Sequence, residues 1–131
     1  MIRLFILCLV ALISFGCSDN VLYKVNATQP EIVVYPEQID FGNLVSGSES
    51  ESREIIIVNA GDGDLNVLSP VLFDGSTRFN LTAPEAEFVL EPGDIEILEI
   101  TYTPETYEQN GSFIQIESND DETSLIEVLV V

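Results

Sequence analysis

Arg53-Glu54-Ile55-Ile56-Ile57-Val58-Asn59 is the stretch on which the fold turns. Four β-branched residues in a row pack well on a pleated surface and lose side-chain freedom in a helix. The run ends in Gly61-Asp62-Gly63-Asp64, residue types that supply turn conformations. It reads as a β-strand followed by a turn.

The same grammar continues on both sides. Upstream stand Glu31–Tyr35 and, after Pro36, Gln38–Phe41, which ends on Gly42. Downstream come Leu65–Leu72, which Pro70 prevents from being an unbroken central strand, and the short runs Phe79–Thr82 and Glu87–Leu90. Glu91-Pro92-Gly93-Asp94 has Pro and Gly in the central positions that a type II turn wants. Ile95–Thr103 slips phase: Ile95 and Ile97 share one face, then Leu98, Ile100 and Tyr102 the other, which predicts a β-bulge. Phe113–Ser118 and Leu125–Val131 are joined by the polar connection Asn119-Asp120-Asp121-Glu122. No segment of helical length carries apolar residues at helical spacing without breakers. Short strands with frequent turn signals predict an all-β sandwich or barrel, and 131 residues suit one domain.

Charge restricts the function. All 23 Asp and Glu lie beyond residue 18, whereas Arg3 is one of only four basic residues. Cleavage before Cys17 leaves three basic residues against 23 acidic ones, a formal charge of −20. That field repels nucleic-acid phosphates and anionic lipid alike; it favours solubility and leaves room for a basic partner or divalent cations. With no histidine, imidazole acid–base and nucleophile–histidine chemistry is excluded. Paired carboxylates for glycoside hydrolysis need a cleft and sugar platforms, and there is no tryptophan. The chain is expected to be neither an enzyme nor a binder of cofactor or small-molecule substrate.

Residues 1–16 read as a lipoprotein signal peptide. Arg3 precedes the apolar run Leu4–Ile13, and Ser14-Phe15-Gly16 supplies the small-residue step before Cys17. The run is ten residues, short of the ~20 a transmembrane helix needs. Cys8 lies within it as a small hydrophobe, so no internal disulfide is expected in the mature chain. Gly16-Cys17 resembles the end of a bacterial lipobox, which implies lipidation of Cys17 and anchorage to a membrane. Ser14 stands where that motif prefers Leu, and Phe15 is bulkier than usual. Ser18 after the cysteine, in place of Asp, favours the outer membrane or cell surface. Residues 17–30 show no sustained period and read as a tether, leaving 31–131 as the folded domain.

Across that domain a family resemblance emerges. Ile39-Asp40-Phe41-Gly42-Asn43-Leu44 with Gly47 resembles the "LDFG-x-V-x-x-G" opening of the hydin-like modules found in bacteria as choice-of-anchor D domains. Ile57-Val58-Asn59-Ala60-Gly61 is similar to their "V-x-N-x-G" step, and Leu65-Asn66-Val67 to the strand after it. Phe79, Leu90-Glu91-Pro92-Gly93, Ile100-Thr101-Tyr102-Thr103-Pro104 and Ile116-Glu117-Ser118-Asn119-Asp120 follow in the family's order. The resemblance implies a major-sperm-protein-like, immunoglobulin-like antiparallel β-sandwich of about 7–9 strands, and no catalytic residues. Physically, Phe41 and Tyr102 suit core anchors. Gly42, Gly47, Gly61 and Gly93 suit turns of positive φ, and Asn119 and Asp120 suit local turn capping. Family members often continue into another module, and Val131 is either the natural end or the end of an N-terminal piece.

Remaining site candidates are few. Asp62, Asp64 and Asn66 have the alternating oxygens of a calcium loop's first half, but Val67 holds the sixth position, which should be Gly, and no Glu holds the twelfth. Asn119-Asp120-Asp121-Glu122 reads as solvated loop charge. Asn26, Asn80 and Asn110 begin N-x-S/T triplets that carry no weight behind a bacterial lipobox.

The expectation is a non-enzymatic, lipid-anchored cell-envelope protein whose domain is a protein-interaction or spacer module. The alternative is the first module of a longer surface stalk or adhesin with weak calcium binding. Partners can join such folds by adding a strand to an edge, and Leu125–Val131 is the edge candidate.

Overall fold

The computed structural model describes residues 28–73, 78–105 and 111–131. The signal peptide, Cys8, Cys17, most of the tether, Asn26 and Asn110 lie outside them. The described residues form ten strands: β1 (Ile32–Tyr35), β2 (Gln38–Ile39), β3 (Glu51–Asn59), β4 (Leu65–Val67), β5 (Val71–Phe73), β6 (Phe79–Thr82), β7 (Phe88–Leu90), β8 (Ile95–Tyr102), β9 (Ser112–Glu117) and β10 (Leu125–Val130). They form an immunoglobulin-like sandwich, with one sheet in the order β1-β3-β8-β6, a second in the order β2-β10-β9-β5, and a small β4-β7 pair. All pairings are antiparallel except β2 with β10, which is parallel.

The core forms where the inward residues of the two main sheets meet. Ile55, Ile57, Leu98 and Ile100 from the first sheet face Ile114, Ile116, Val128 and Val130 from the second, all fully buried. Each such side chain contributes roughly 1.5–3 kcal/mol of burial. Phe41, Phe79 and Tyr102 close one end, with ring centroids 4.8–6.1 Å apart.

Three expectations change. The tenth strand arises because Leu65–Leu72 divides at Pro70 into β4 and β5. The bulge lies in that same segment, not in β8. Val67 bridges Ser118 and Val71 pairs with Gln115, so Leu68–Pro70 must span the same length as the two residues Ile116 and Glu117. Proline, which cannot donate to a ladder, sits at the irregularity. By contrast β8 stays in one register with β3 along its whole length, from Glu51↔Tyr102 to Val58↔Ile95. Its phase slip has another cause: Ile95 and Ile97 point outward and stay exposed. Finally, β2 pairs with Leu129 and Val130 of β10, so the C-terminal end of Leu125–Val131 is covered, while Leu125–Val128 has no strand on that side among the described residues. The edges are β1, β6, β2 and β5.

Gly42, Gly47 and Gly93 have φ of +69°, +79° and +87°, as their turns require. Gly61 has no positive φ and is glycine for space. A Cβ there would overlap the Gln29 carbonyl oxygen, because the incoming chain is laid directly against it.

Candidate interaction surface

The outer face of the first sheet carries two cross-strand rows of apolar side chains. Register places Val33, Val58 and Ile95 in one row across β1, β3 and β8, and Tyr35, Ile56 and Ile97 in the next. These residues alternate with the inward ones and therefore point away from the core. Val33 is 43% exposed, Tyr35 70%, Ile95 55% and Ile97 49%, while Ile56 and Val58 in the centre are half-buried. An antiparallel sheet with one solvated face is ordinarily polar outside. Here one end of the outer face is apolar over three strands, and contiguous apolar patches of this kind mark interaction sites.

Two residues further along, Glu54 and Glu99 stand directly opposite each other on the same face, both exposed. Beyond them the face turns neutral, with Ser52 and Thr101 hydrogen-bonded at 3.0 Å. Like charges directly opposite on a sheet repel. The two basic side chains in the described residues are engaged elsewhere. Arg53 reaches Glu51 at 2.9 Å and lies over the Phe41 ring, and Arg78 is 4.0 Å from Glu105.

The outer face of the second sheet holds a smaller apolar row. Phe73, Phe113 and Leu129 align across β5, β9 and β10, with the two rings stacked at 5.1 Å.

At the end of the sandwich where the chain enters, polar side chains act as staples. Buried Asn59 donates to the Gly63 and Leu90 carbonyls at 2.8 and 2.9 Å and accepts from the Gly61 and Glu31 N–H groups at 3.1 and 3.4 Å. Asp120, also buried, accepts from the N–H of Ile32 at 2.9 Å, Glu122 at 2.8 Å and Thr123 at 3.1 Å. Foremost the Ile32 bond, and then the other two, hold its carboxyl below the ordinary aspartate range of about 3.8 against the opposing effect of burial. Asn119 accepts from the Asn66 N–H at 2.8 Å and donates to the Asp64 carbonyl at 3.2 Å. Asp120 thus caps local groups as expected but also ties the β9–β10 connection to β1, and Asn119 works entirely across to β4.

The candidate metal residues Asp62, Asp64 and Asn66 lie beside these staples. The Asp62 carboxylate accepts the Gln29 N–H at 2.7 Å, and Asn66 and Asp64 are held through their backbones by Asn119. Asp62 and Asp120 line a cleft of about 480 Å³ together with Gln29, Ile32, Gly61 and Thr123. Among the described residues, no three His, Cys, Asp or Glu side chains gather as a metal-ligand set. Gln29 and Pro30 already belong to this packing, since the Gln29 carbonyl accepts from the Asp62 and Gly63 N–H groups at 3.0 and 3.1 Å.

The apolar outer face escaped the sequence reading, although its signal was there. Ile55–Val58 lacks the polar alternation of a one-faced strand, and the apparent phase slip at Ile97-Leu98 marks where both faces of β8 are apolar.

A sandwich of these sheets, with a divided first strand serving both, defines a class of immunoglobulin-like domain. The HYDIN/CFA65/VesB-like, Ig-like domain model matches residues 30–129, and the chain belongs to that family. Solved structures agree on the fold. A protein of unknown function from Porphyromonas gingivalis W83 is 22% identical with a TM-score of 0.64, over 85% of this chain and 50% of that one. The ASH/PapD-like domain 7 of human CEP192 is 15% identical with a TM-score of 0.51, over 76% and 81%. The CsuC–CsuE chaperone–tip adhesion subunit pre-assembly complex of Acinetobacter baumannii gives 10% identity and a TM-score of 0.52, over 76% and 50%. The chain thus spans about half the length of the first and third of these. No curated protein sequence matches.

Proposed function

We propose that this protein is a non-enzymatic, exported lipoprotein, anchored through Cys17, whose immunoglobulin-like domain holds a protein partner at the envelope. The observation that carries the reading is the apolar outer face of β1, β3 and β8, with four large side chains between 43% and 70% exposed. Leaving such surface in water forgoes roughly 25 cal/mol per Å² of burial, which a partner recovers. The fold is compatible with such a role, and one solved neighbour is a chaperone caught with an adhesion subunit. The lipobox-like Gly16-Cys17 and the leader before it support export and anchorage. Three acyl chains on one cysteine hold far more firmly than one, which is marginal.

Two measurements test this. Wild-type protein should take up labelled palmitate and fractionate with membranes, and Cys17→Ser should do neither. A photo-crosslinking residue at Tyr35 should trap a discrete protein in the native envelope, whereas the same residue at Glu127, on the opposite sheet, should not. Unlabelled wild type, or equal trapping at both positions, contradicts the reading.

A further inference from the structure

Building on that interaction face, we infer the chemistry of its partner: an extended segment in which two aliphatic residues at alternate positions are followed, two positions on, by lysine or arginine. The two apolar rows and the Glu54–Glu99 row succeed one another at every second residue of β3 and β8. Alternate residues of a strand are about 7 Å apart, so a segment running along the strands meets successive rows with its own alternate side chains. Its first two inward positions meet Val58 and Ile95, then Ile56 and Ile97. Its third meets two carboxylates held face to face.

That third row decides the sign. Glu54 and Glu99 repel each other across the strands, and the two arginines of the described residues are engaged with Glu51 and Glu105. A cation placed between the glutamates removes the repulsion and adds two attractions. The surrounding field favours it too, since the mature chain carries three basic residues against 23 acidic ones. A second copy of this chain fits poorly because it brings the same glutamates and the same net charge. An anionic membrane is repelled by that charge.

The experiment uses the full-length lipidated protein in neutral detergent and diazirine-labelled peptides of one composition and two orders. In one, valines at alternate positions precede lysine (Val-Ser-Val-Ser-Lys); in the other, lysine separates them (Val-Ser-Lys-Ser-Val). Covalent capture suits a weak complex, and equal peptide charge removes general attraction as an explanation. The first order should label β1, β3 or β8 about threefold more than the second, the scale of one exposed ion-pair set. Glu54→Gln with Glu99→Gln should abolish that preference, whereas Glu85→Gln with Glu122→Gln, an equal loss of charge elsewhere, should leave it. Tyr35→Ser with Ile97→Ser, both at exposed positions, should reduce labelling by both peptides about fivefold.

Equal labelling by the two orders overturns the inference, as does an equal effect of the two glutamate pairs. Light scattering that shows a dimer lost in Tyr35→Ser/Ile97→Ser would also overturn it, by assigning the face to a second copy. If peptide order has no effect while Tyr35 still traps a protein in the envelope, the partner's chemistry is wrong and the interaction face stands. If both fail, the interaction reading falls as well.

Discussion

Asn59 uses both ends of its amide on four backbone groups, from Glu31, Gly61, Gly63 and Leu90, and is fully buried. Asn59→Ala strands those donors and acceptors out of water and should cost about 2–4 kcal/mol in denaturant unfolding. Gly61→Ala should also destabilise, because its methyl collides with backbone at Gln29, which cannot swing aside as a side chain can. Asp120 adds a pH dependence. Its folded-state pKa lies below the ordinary 3.8, so as pH falls the unfolded chain takes up the proton first. The stabilisation is fully present above the ordinary aspartate range and is lost as pH drops from there through the folded-state value. Wild type should therefore lose more stability than Asp120→Asn between about pH 6 and pH 3 in paired urea titrations. Parallel curves would show that the three N–H bonds do not select the charged form.

At the scale of strands, sequence legibility had a physical limit. Runs bounded by Pro, Gly and Asn gave nine of the ten strands, since turn residues act locally and β-branched residues declare themselves. What failed was anything that depends on a neighbouring strand. Leu65–Leu72 carries a visible Pro70 but no local sign that β9 makes room for an extra residue beside it. Leu125–Val131 looked like an open edge throughout because β2, which covers only Leu129 and Val130, is two residues long. The Ile95–Tyr102 phase slip was real, yet apolar side chains on both faces of one strand and a bulge produce the same pattern. Only the unbroken register with β3 separates the two. The Asn59 and Asp120 staples were visible as motif positions, but their partners 28 and 88 residues away were not. The opposed glutamates belong to this scale also. Glu54→Lys converts a repulsion into a pair with Glu99 and should raise stability by about 0.5 kcal/mol, while weakening capture of a basic segment. A fall in the thermal midpoint would contradict the outward, paired placement of these side chains.

For the whole molecule, surface charge and apolar exposure work in opposite directions. The formal charge of −19 opposes association of copies through the two apolar outer faces, and it strains the folded state by self-repulsion. Raising salt from about 20 mM to about 500 mM should accordingly raise the melting temperature by a few degrees. A melting temperature indifferent to salt would show that the acidic residues are too dispersed to matter. The central claim is that the β1-β3-β8 face is covered in the envelope. It is tested most directly by cysteine accessibility in place, comparing Ile97→Cys on that face with Leu125→Cys on β10. A membrane-impermeant maleimide should label both variants when purified, but only Leu125→Cys in envelopes opened to the reagent. Equal labelling of the two in the envelope would contradict it.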